Sequence, residues 1–409
     1  MISLGKFDPG IPQEAIRKYL EIVKQLTGFT GSDDAGKLRG DQNNEVVAFE
    51  PVTPDQSKGE LSVAEVQGVL KNAGFFPFGQ IDGICGYRTT AAIRFFQEYV
   101  RTVEKDESIG SPDGMLGPKA FGHIRRWRDG GKKADWVGAA SERHQQGIAL
   151  LNAVKQRCLQ SPNRMLQMVN AYSGKADTLK VAEWDFNPDH IHLIGIRKNT
   201  PDSEGKFNDV FFLLIRGLVY AFNGSTDPGA TSDPRGFPFL TNGQHLYRFG
   251  WHGFKHKDRI YQALKPRAHG VLVVRSKNRI LDDSDLASGL EANGSINVHW
   301  GGEGFSADIG TWSEGCQVIT GKAYINHKNE LVDLAKYAAV NSGGLGKYVN
   351  GNYQTKGAYT VLSDVVAALS GSENIVRYML LTEEDLAMSP EVVGMVEGAR
   401  KMFAGIRWA

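Results

Sequence analysis

Two side chains with the chemistry of covalent acyl transfer stand seventeen residues apart, His299 and Cys316. A strand-like run, Ile296-Asn297-Val298-His299-Trp300, delivers the imidazole. A glycine-rich loop follows, and the turn Ser313-Glu314-Gly315-Cys316-Gln317 delivers the thiol. Acyl transfer needs this pair: a sulfur nucleophile and a base that takes its proton and later returns one. A neighbouring imidazolium favours the thiolate, so the pair is expected to activate itself. Gly315 lets the backbone approach a substrate, and the N–H groups of Gly315 and Cys316 are candidates for an oxyanion hole. From residue types alone, a buried cysteine and a core histidine are the commoner arrangement.

Other chemistries compete for the same residues. His190-x-His192, His252, His256, His299 and Cys316 supply enough ligands for zinc, and His-x-His on a strand puts both rings on one face. However, Asp189-His190-Ile191-His192 heads an ordinary apolar strand, and the helical H-E-x-x-H arrangement is absent. No metal and no cofactor is therefore expected. Glu303, Asp308 and Glu314 offer a third chemistry, carboxylate acid–base cleavage of a glycan, which ordinarily takes two such groups.

The elements that must position these groups fall into two styles. The chain has 409 residues, enough for two or three domains, and its 41% hydrophobic and 23% charged residues are those of an ordinary globular protein. A formal charge of +1 gives no global case for a nucleic-acid partner, and no run is long and apolar enough for a membrane span. Three cysteines with long separations fit no disulfide framework. The N-terminus lacks a basic segment followed by an apolar run, so synthesis in the cytoplasm without a signal peptide is expected.

Apolar spacing predicts a helix over 12–28, a flexible linker over 30–59, and short helices separated by glycine turns from Leu61 to Trp127. Within the last stretch, Asp82-Gly83-Ile84-Cys85-Gly86-Tyr87-Arg88 and Asp113-Gly114-Met115-Leu116-Gly117-Pro118-Lys119 form a repeat, each copy a tight turn feeding a helix. Each copy has too few carboxylates for a calcium loop. The basic run Arg125–Lys133 reads as a solvated helix end. A helical stretch over 136–173 carries Cys158 on its apolar stripe. Strands follow at 191–196, 210–215, 218–222 and 271–274, then helices at 329–340, 362–369 and 390–404 and a strand at 375–381.

Two resemblances give these patterns a meaning. Leu61, Val66-Gln67, Leu70, Gly74-Phe75, Asp82-Gly83, Gly86, Thr89, Ala92-Ile93 and Phe96-Gln97 together resemble the three-helix peptidoglycan-binding domain of cell-wall hydrolases. The resemblance implies a groove for glycan and stem peptide, with the Phe75–Phe78 run, Tyr87 and Arg88 as its candidate lining; read as residue types alone, Phe75, Phe95 and Phe96 fill a small core, and the expectation is that they lie inside while Tyr87 and Arg88 are exposed. His299 with Ser313-x-Gly315-Cys316 resembles the signature of L,D-transpeptidase catalytic domains over about residues 190–330. That resemblance makes Cys316 the nucleophile and His299 the base, has Ser313 and Gly315 shape the turn, and has the Trp300 carbonyl orient the imidazole. Glu314 replaces a histidine of the common pattern, and Val318 an arginine or asparagine. No tyrosine precedes His299 closely, so Tyr247 or Tyr261 is the substitute oxyanion partner. Beside the thiol Glu314 opposes ionisation unless it pairs with a cation such as Arg275, and His252 is a candidate substrate contact.

The expectation is an α+β protein: an N-terminal helix and linker over 1–59, a three-helix peptidoglycan-binding domain over 60–130, a helical connector over 131–180, and a mixed β-sheet L,D-transpeptidase-like domain with C-terminal helices over 181–409. Its substrate is peptidoglycan, both glycan strand and stem peptide. It acts as a carboxypeptidase, endopeptidase or transpeptidase in the periplasm or wall, reached as a phage lysis or virion protein or as an effector with a secretion-system partner. A carboxylate-dependent, muramidase-like glycan hydrolase and a non-catalytic wall-binding protein are the alternatives.

Overall fold

A computed structural model describes residues 61–83, 85–138, 140–198, 205–252, 261–302, 309–310, 313–340, 348–349, 352–371 and 374–406; the side chains of 251–252, 348–349 and 352–354 lie outside the description. The helix expected at 12–28, the linker at 30–59, and Glu303 and Asp308 all fall outside the described residues. The protein mixes helix and sheet in two compact units. One comprises residues up to 139, 249–262 and 334–374, and the other comprises 140–248, 263–333 and 375–409.

The first unit carries helices α1 (Val63–Ala73), α2 (Tyr87–Thr102) and α3 (Pro118–Asp129). Ser62 caps α1 in a reciprocal box with Glu65, and Gly74 closes it in the left-handed conformation. Phe75 is the hub of the core. Phe95, Phe96, Tyr99, Trp127 and Trp136 meet it edge-on at centroid distances of 5.1 to 5.4 Å.

The sequence repeat has a physical basis in this unit. In the first copy Gln67 of α1 clasps the Asp82-Gly83 turn, its Nε2 donating to Asp82 Oδ1 at 2.9 Å and its Oε1 accepting from the Gly83 N–H at 2.9 Å. Gln97 of α2 clasps Asp113-Gly114 in the same way, at 3.0 and 2.8 Å. Both turn glycines have φ above +70°, a conformation that disfavours any side chain. Each aspartate is thus engaged by a glutamine.

Tyr87 and Arg88 correct the expectation that they face a ligand. Tyr87 is 4% exposed and bonds Ser363 at 2.7 Å, and the Arg88 guanidinium caps the far end of a fourth helix through the Ala367 and Ser370 carbonyls. That helix, Ala358–Leu369, packs along α2, where a buried, two-pronged Arg94–Asp364 ion pair joins them at 2.8 and 2.6 Å. Phe75, Phe95 and Phe96 are inside, as expected, and Phe78 is exposed.

The second unit opens with α4 (Glu142–Gln160) and α5 (Arg164–Ala171), where the single helical stretch expected over 136–173 is interrupted at Ser161-Pro162-Asn163. The helix of the first unit at Ala358–Leu369 is α6 in chain order, and α7 (Glu383–Leu386) and α8 (Pro390–Ala404) close the chain. The strands are β1 (Ile191–Arg197), β2 (Asp209–Ile215), β3 (Leu218–Ser225), β4 (Phe237–Leu240), β5 (Gly243–His252), β6 (Tyr261–Pro266), β7 (Val271–Ser276), β8 (Glu291–Asn293), β9 (Val298–Trp300), β10 (Gln317–Ile325) and β11 (Leu331–Asp333), then β12 (Ala339–Val340), β13 (Tyr348–Val349), β14 (Asn352–Thr355) and β15 (Ile375–Thr382).

Nine strands form one mixed sheet in the order β11-β10-β3-β2-β1-β15-β5-β6-β9, and a further pairing of β9 with β10 closes it into a barrel. Strands β1, β2 and β3 are buried along their whole length. One face, with Ile194, Val210, Phe212, Leu214 and Met379, packs on Leu150, Leu151 and Val154 of α4 and Val396 and Phe403 of α8. The other face lines the barrel interior, where Tyr378 touches Phe211, His245 and Tyr247. Cys158 is a buried part of the helix-covered core.

The helix expected at 329–340 is instead a hairpin strand, β11, a short 3-10 turn at Leu334–Lys336, and β12. Asn329 sits at φ 60° in the β10–β11 turn, and ladder pairing with Tyr324 and Ile325 outweighs the helical spacing of Leu331, Leu334 and Ala338.

Among the described residues His123, His144, His192, His245 and His299 are buried, and burial lowers all five, the last three by the largest amounts. His245, held by Thr178 and the Thr241 carbonyl, is lowered by burial to about 3, while His192 and His299 are lowered by burial to about 4. Each is neutral in the folded chain and takes up a proton below its unfolded value of 6.5, so its stabilisation is complete above that pH and is lost as pH falls toward 4. Each imidazole is expected to cost about 2 kcal/mol at pH 5. Denaturant unfolding at pH 7 and pH 5 checks this, and an unchanged midpoint would contradict it.

Candidate active site

β9 and β10 run parallel, with His299 opposite Val318. Cys316 immediately precedes β10, and its Sγ touches the backbone of Ser295 and Asn297 on the segment that leads into β9. His299 is 4% exposed, and its Nδ1 donates to the Trp300 carbonyl at 2.8 Å. A carbonyl only accepts, so the proton sits on Nδ1 and the lone pair on Nε2, the tautomer a base requires.

The cysteine-bearing turn is braced from within. Ser313 Oγ donates to the Cys316 carbonyl at 2.8 Å and accepts the Gly315 N–H at 3.1 Å. The Gly315 amide is therefore engaged and is not an oxyanion donor, whereas the Cys316 amide makes no hydrogen bond among the described residues. A Cβ on Gly315 would lie 2.6 Å from the Pro238 carbonyl oxygen and 2.5 Å from its Cγ. Glycine is needed here for close approach. Gly315→Ala is expected to lose about 1–3 kcal/mol of stability and about 100-fold in rate by displacing the nucleophile. Unfolding midpoints and turnover measured together check this, and wild-type values for both would contradict it.

Burial disfavours the charged forms of both the thiol and the imidazole. Half-buried Cys316 donates through Sγ to the Ser295 carbonyl at 3.2 Å and accepts from the Asn297 N–H at 3.3 Å. Burial pushes the thiol up to about 11, the Asn297 and Ser313 bonds oppose this, and the Glu314 charge adds to it. The imidazole is lowered by burial, against the Trp300 bond. Both shifts run against the thiolate–imidazolium pair expected from the sequence, and burial is the leading cause of each. Glu314 is exposed, and Arg275 is committed to Glu291 at 2.6 Å and Asp233 at 3.1 Å.

Two orphaned polar atoms stand near the sulfur. Tyr247 is fully buried on β5, its hydroxyl has no hydrogen-bond partner among the described residues, and its ionisation is opposed by burial, by Tyr378 and by the charge of Cys316. Asn297, whose amide touches Sγ, has a buried side-chain oxygen without a partner among the described residues. Tyr261 and Tyr359 both belong to the first unit, where their rings meet edge to face. His252 closes β5, and its side chain lies outside the described residues.

Sequence reasoning missed the network beneath this turn. Asp209 is fully buried, and its Oδ2 accepts from the Thr226 N–H at 2.6 Å and hydroxyl at 2.8 Å. Burial and the neighbouring Asp227 charge raise its carboxyl well above the ordinary aspartate range. Arg197 holds the same Thr226 and pairs with Asp227 at 3.2 Å. Gln317, adjacent to the cysteine, donates to the Thr226 carbonyl and accepts from the Tyr378 hydroxyl at 2.8 Å. The Gly229 amide reaches the Ser313 carbonyl at 2.8 Å. A lone aspartate heading the apolar run of β2 was the available signal.

His192 donates through Nε2 to the Asn187 carbonyl and His190 contacts Asp185, so neither ring is directed at Cys316 by these bonds. Among the described residues no group of three or more histidine, cysteine, aspartate or glutamate side chains is placed to hold a metal ion. No helix among them is long and apolar enough to cross a membrane. No protein-family model, curated protein or solved structure matches the chain.

Proposed function

We propose that the chain is a cysteine-dependent acyl-transfer enzyme acting on peptidoglycan stem peptides, with an L,D-transpeptidase-like site. The observation that carries the reading is the fixed tautomer of His299 on the strand beside Cys316. Nε2 takes the thiol proton once substrate turns the S–H away from the Ser295 carbonyl. Sγ then attacks a peptide carbonyl, the amine leaves with the proton returned by His299, and a thioester remains for water or a second amine to resolve. The Cys316 amide and the Tyr247 hydroxyl supply donors for the developing oxyanion, and Asn297 Oδ1 an acceptor for a substrate N–H.

In this reading the helical repeat is the peptidoglycan-binding part, and a tether to a polymer raises the local concentration of stem peptide. Its contact surface excludes the buried Tyr87 and includes the exposed Phe78 and Ile81. Delivery to the periplasm or wall, as a lysis protein, virion component or injected effector, completes the proposal.

Digestion of whole sacculi with fragment identification by mass spectrometry tests it. Cleaved or exchanged stem peptides are expected. Glycan fragments would move the chemistry to carboxylates, and retention on sacculi with no product would leave a binding protein.

A further inference from the structure

The second unit contains a cavity of about 410 Å³ that none of Cys316, His299 or Tyr247 lines. Its volume falls within the roughly 300–1,000 Å³ of small-molecule sites. It lies where the parallel strands β1 and β15 both end, between Arg197-Lys198 and Leu381-Thr382, and is bounded by the end of α4 and the start of α5.

The lining decides what chemistry it accepts. Met165, Leu166, Trp184, Phe239, Leu286 and Met379 provide an apolar wall. Five cationic side chains and five carboxylates share the rest, so the lining has no net charge to recruit a polyanion or a polycation. At the wall both members of one buried ion pair, Arg197 and Asp227, reach the cavity, with side chains 7% and 5% exposed. Arg197 spends Nε and Nη2 on Thr226 and Asp227, which leaves Nη1 as a donor. A lone carboxylate bound there meets the like charge of Asp227, and a lone ammonium meets that of Arg197. A ligand carrying both charges satisfies both groups at once.

We propose that this cavity is a binding site for a zwitterion with an apolar side chain, an amino acid or the end of a short peptide, which Cys316 and His299 do not line and which shares the Arg197–Asp227 pair with the network beneath the cysteine turn. The ligand carboxylate bonds Arg197, its ammonium bonds Asp227, and its side chain lies against Phe239 and Met379.

Calorimetric titration of the full chain tests this with L-leucine and glycyl-L-leucine against isocaproate and isoamylamine, each of which lacks one charge. Saturable binding of at least one zwitterion is expected, weakened about tenfold or more in both single-charge analogues. Arg197→Gln is expected to abolish it. Because that change leaves Asp227 buried beside a neutral side chain, Ser161→Trp at the exposed rim provides the test that does not depend on the ion pair, and it is expected to weaken binding by filling the cavity. Absence of saturable binding by both zwitterions, equal binding of either analogue, or binding unchanged in Ser161→Trp would each overturn the proposal.

Discussion

Cys316→Ala is expected to remove stem-peptide cleavage by about 10⁴-fold or more, since no neighbouring group replaces the covalent step. The structural cost is small, because Sγ contributes two long contacts, to the Ser295 carbonyl and the Asn297 amide. Their loss is expected to lower stability by about 1 kcal/mol. Cys316→Ser sharpens the result: its hydroxyl can keep both contacts, so the variant is expected to unfold like the wild type while remaining as inactive as the alanine variant. Turnover on sacculi and unfolding midpoints of all three proteins check this. Activity retained in the alanine variant would show that the sulfur is not the nucleophile.

Tyr247→Phe is expected to lower the rate by about 10²- to 10³-fold, the usual size of one lost oxyanion donor. Its stability should move in the opposite direction. The Tyr247 hydroxyl is buried without a partner among the described residues, and removing an orphaned buried polar group is neutral or stabilising. A purely structural tyrosine would not combine slower turnover with an equal or higher unfolding midpoint. The defect is expected in kcat rather than KM, because the bond forms only as the oxyanion develops. Steady-state kinetics beside denaturant unfolding separate the two roles, and wild-type kcat in the variant would remove Tyr247 from the site.

Much of the site could be read from local sequence. The Val298-His299-Trp300 run carries a strand pattern, and Ser313-x-Gly315-Cys316 carries a turn whose internal bonds need those residue types. The repeated Asp-Gly turns were legible for the same reason, since each is closed by groups about fifteen residues away. What escaped was the pairing of distant segments. Tyr87 and Arg88 look like surface residues at the start of a helix, and only the packing of α6 on α2, some 270 residues later, buries them. The protonation state escaped for a related reason. Cysteine and histidine in a motif suggest an ion pair, but desolvation is set by the whole barrel and drives both toward their neutral forms. Leu331 to Ala338 shows the same limit in the backbone, where helical spacing yields to a strand partner on β10.

Intact-protein mass spectrometry after brief mixing with soluble stem peptides, quenched in acid, looks directly for a covalent acyl group on Cys316. The expected result is a mass increase equal to the acyl fragment, located on Cys316, released by hydroxylamine and absent in Cys316→Ala. Products appearing from the wild type with no adduct at any mixing time, together with undiminished products from the alanine variant, would contradict it.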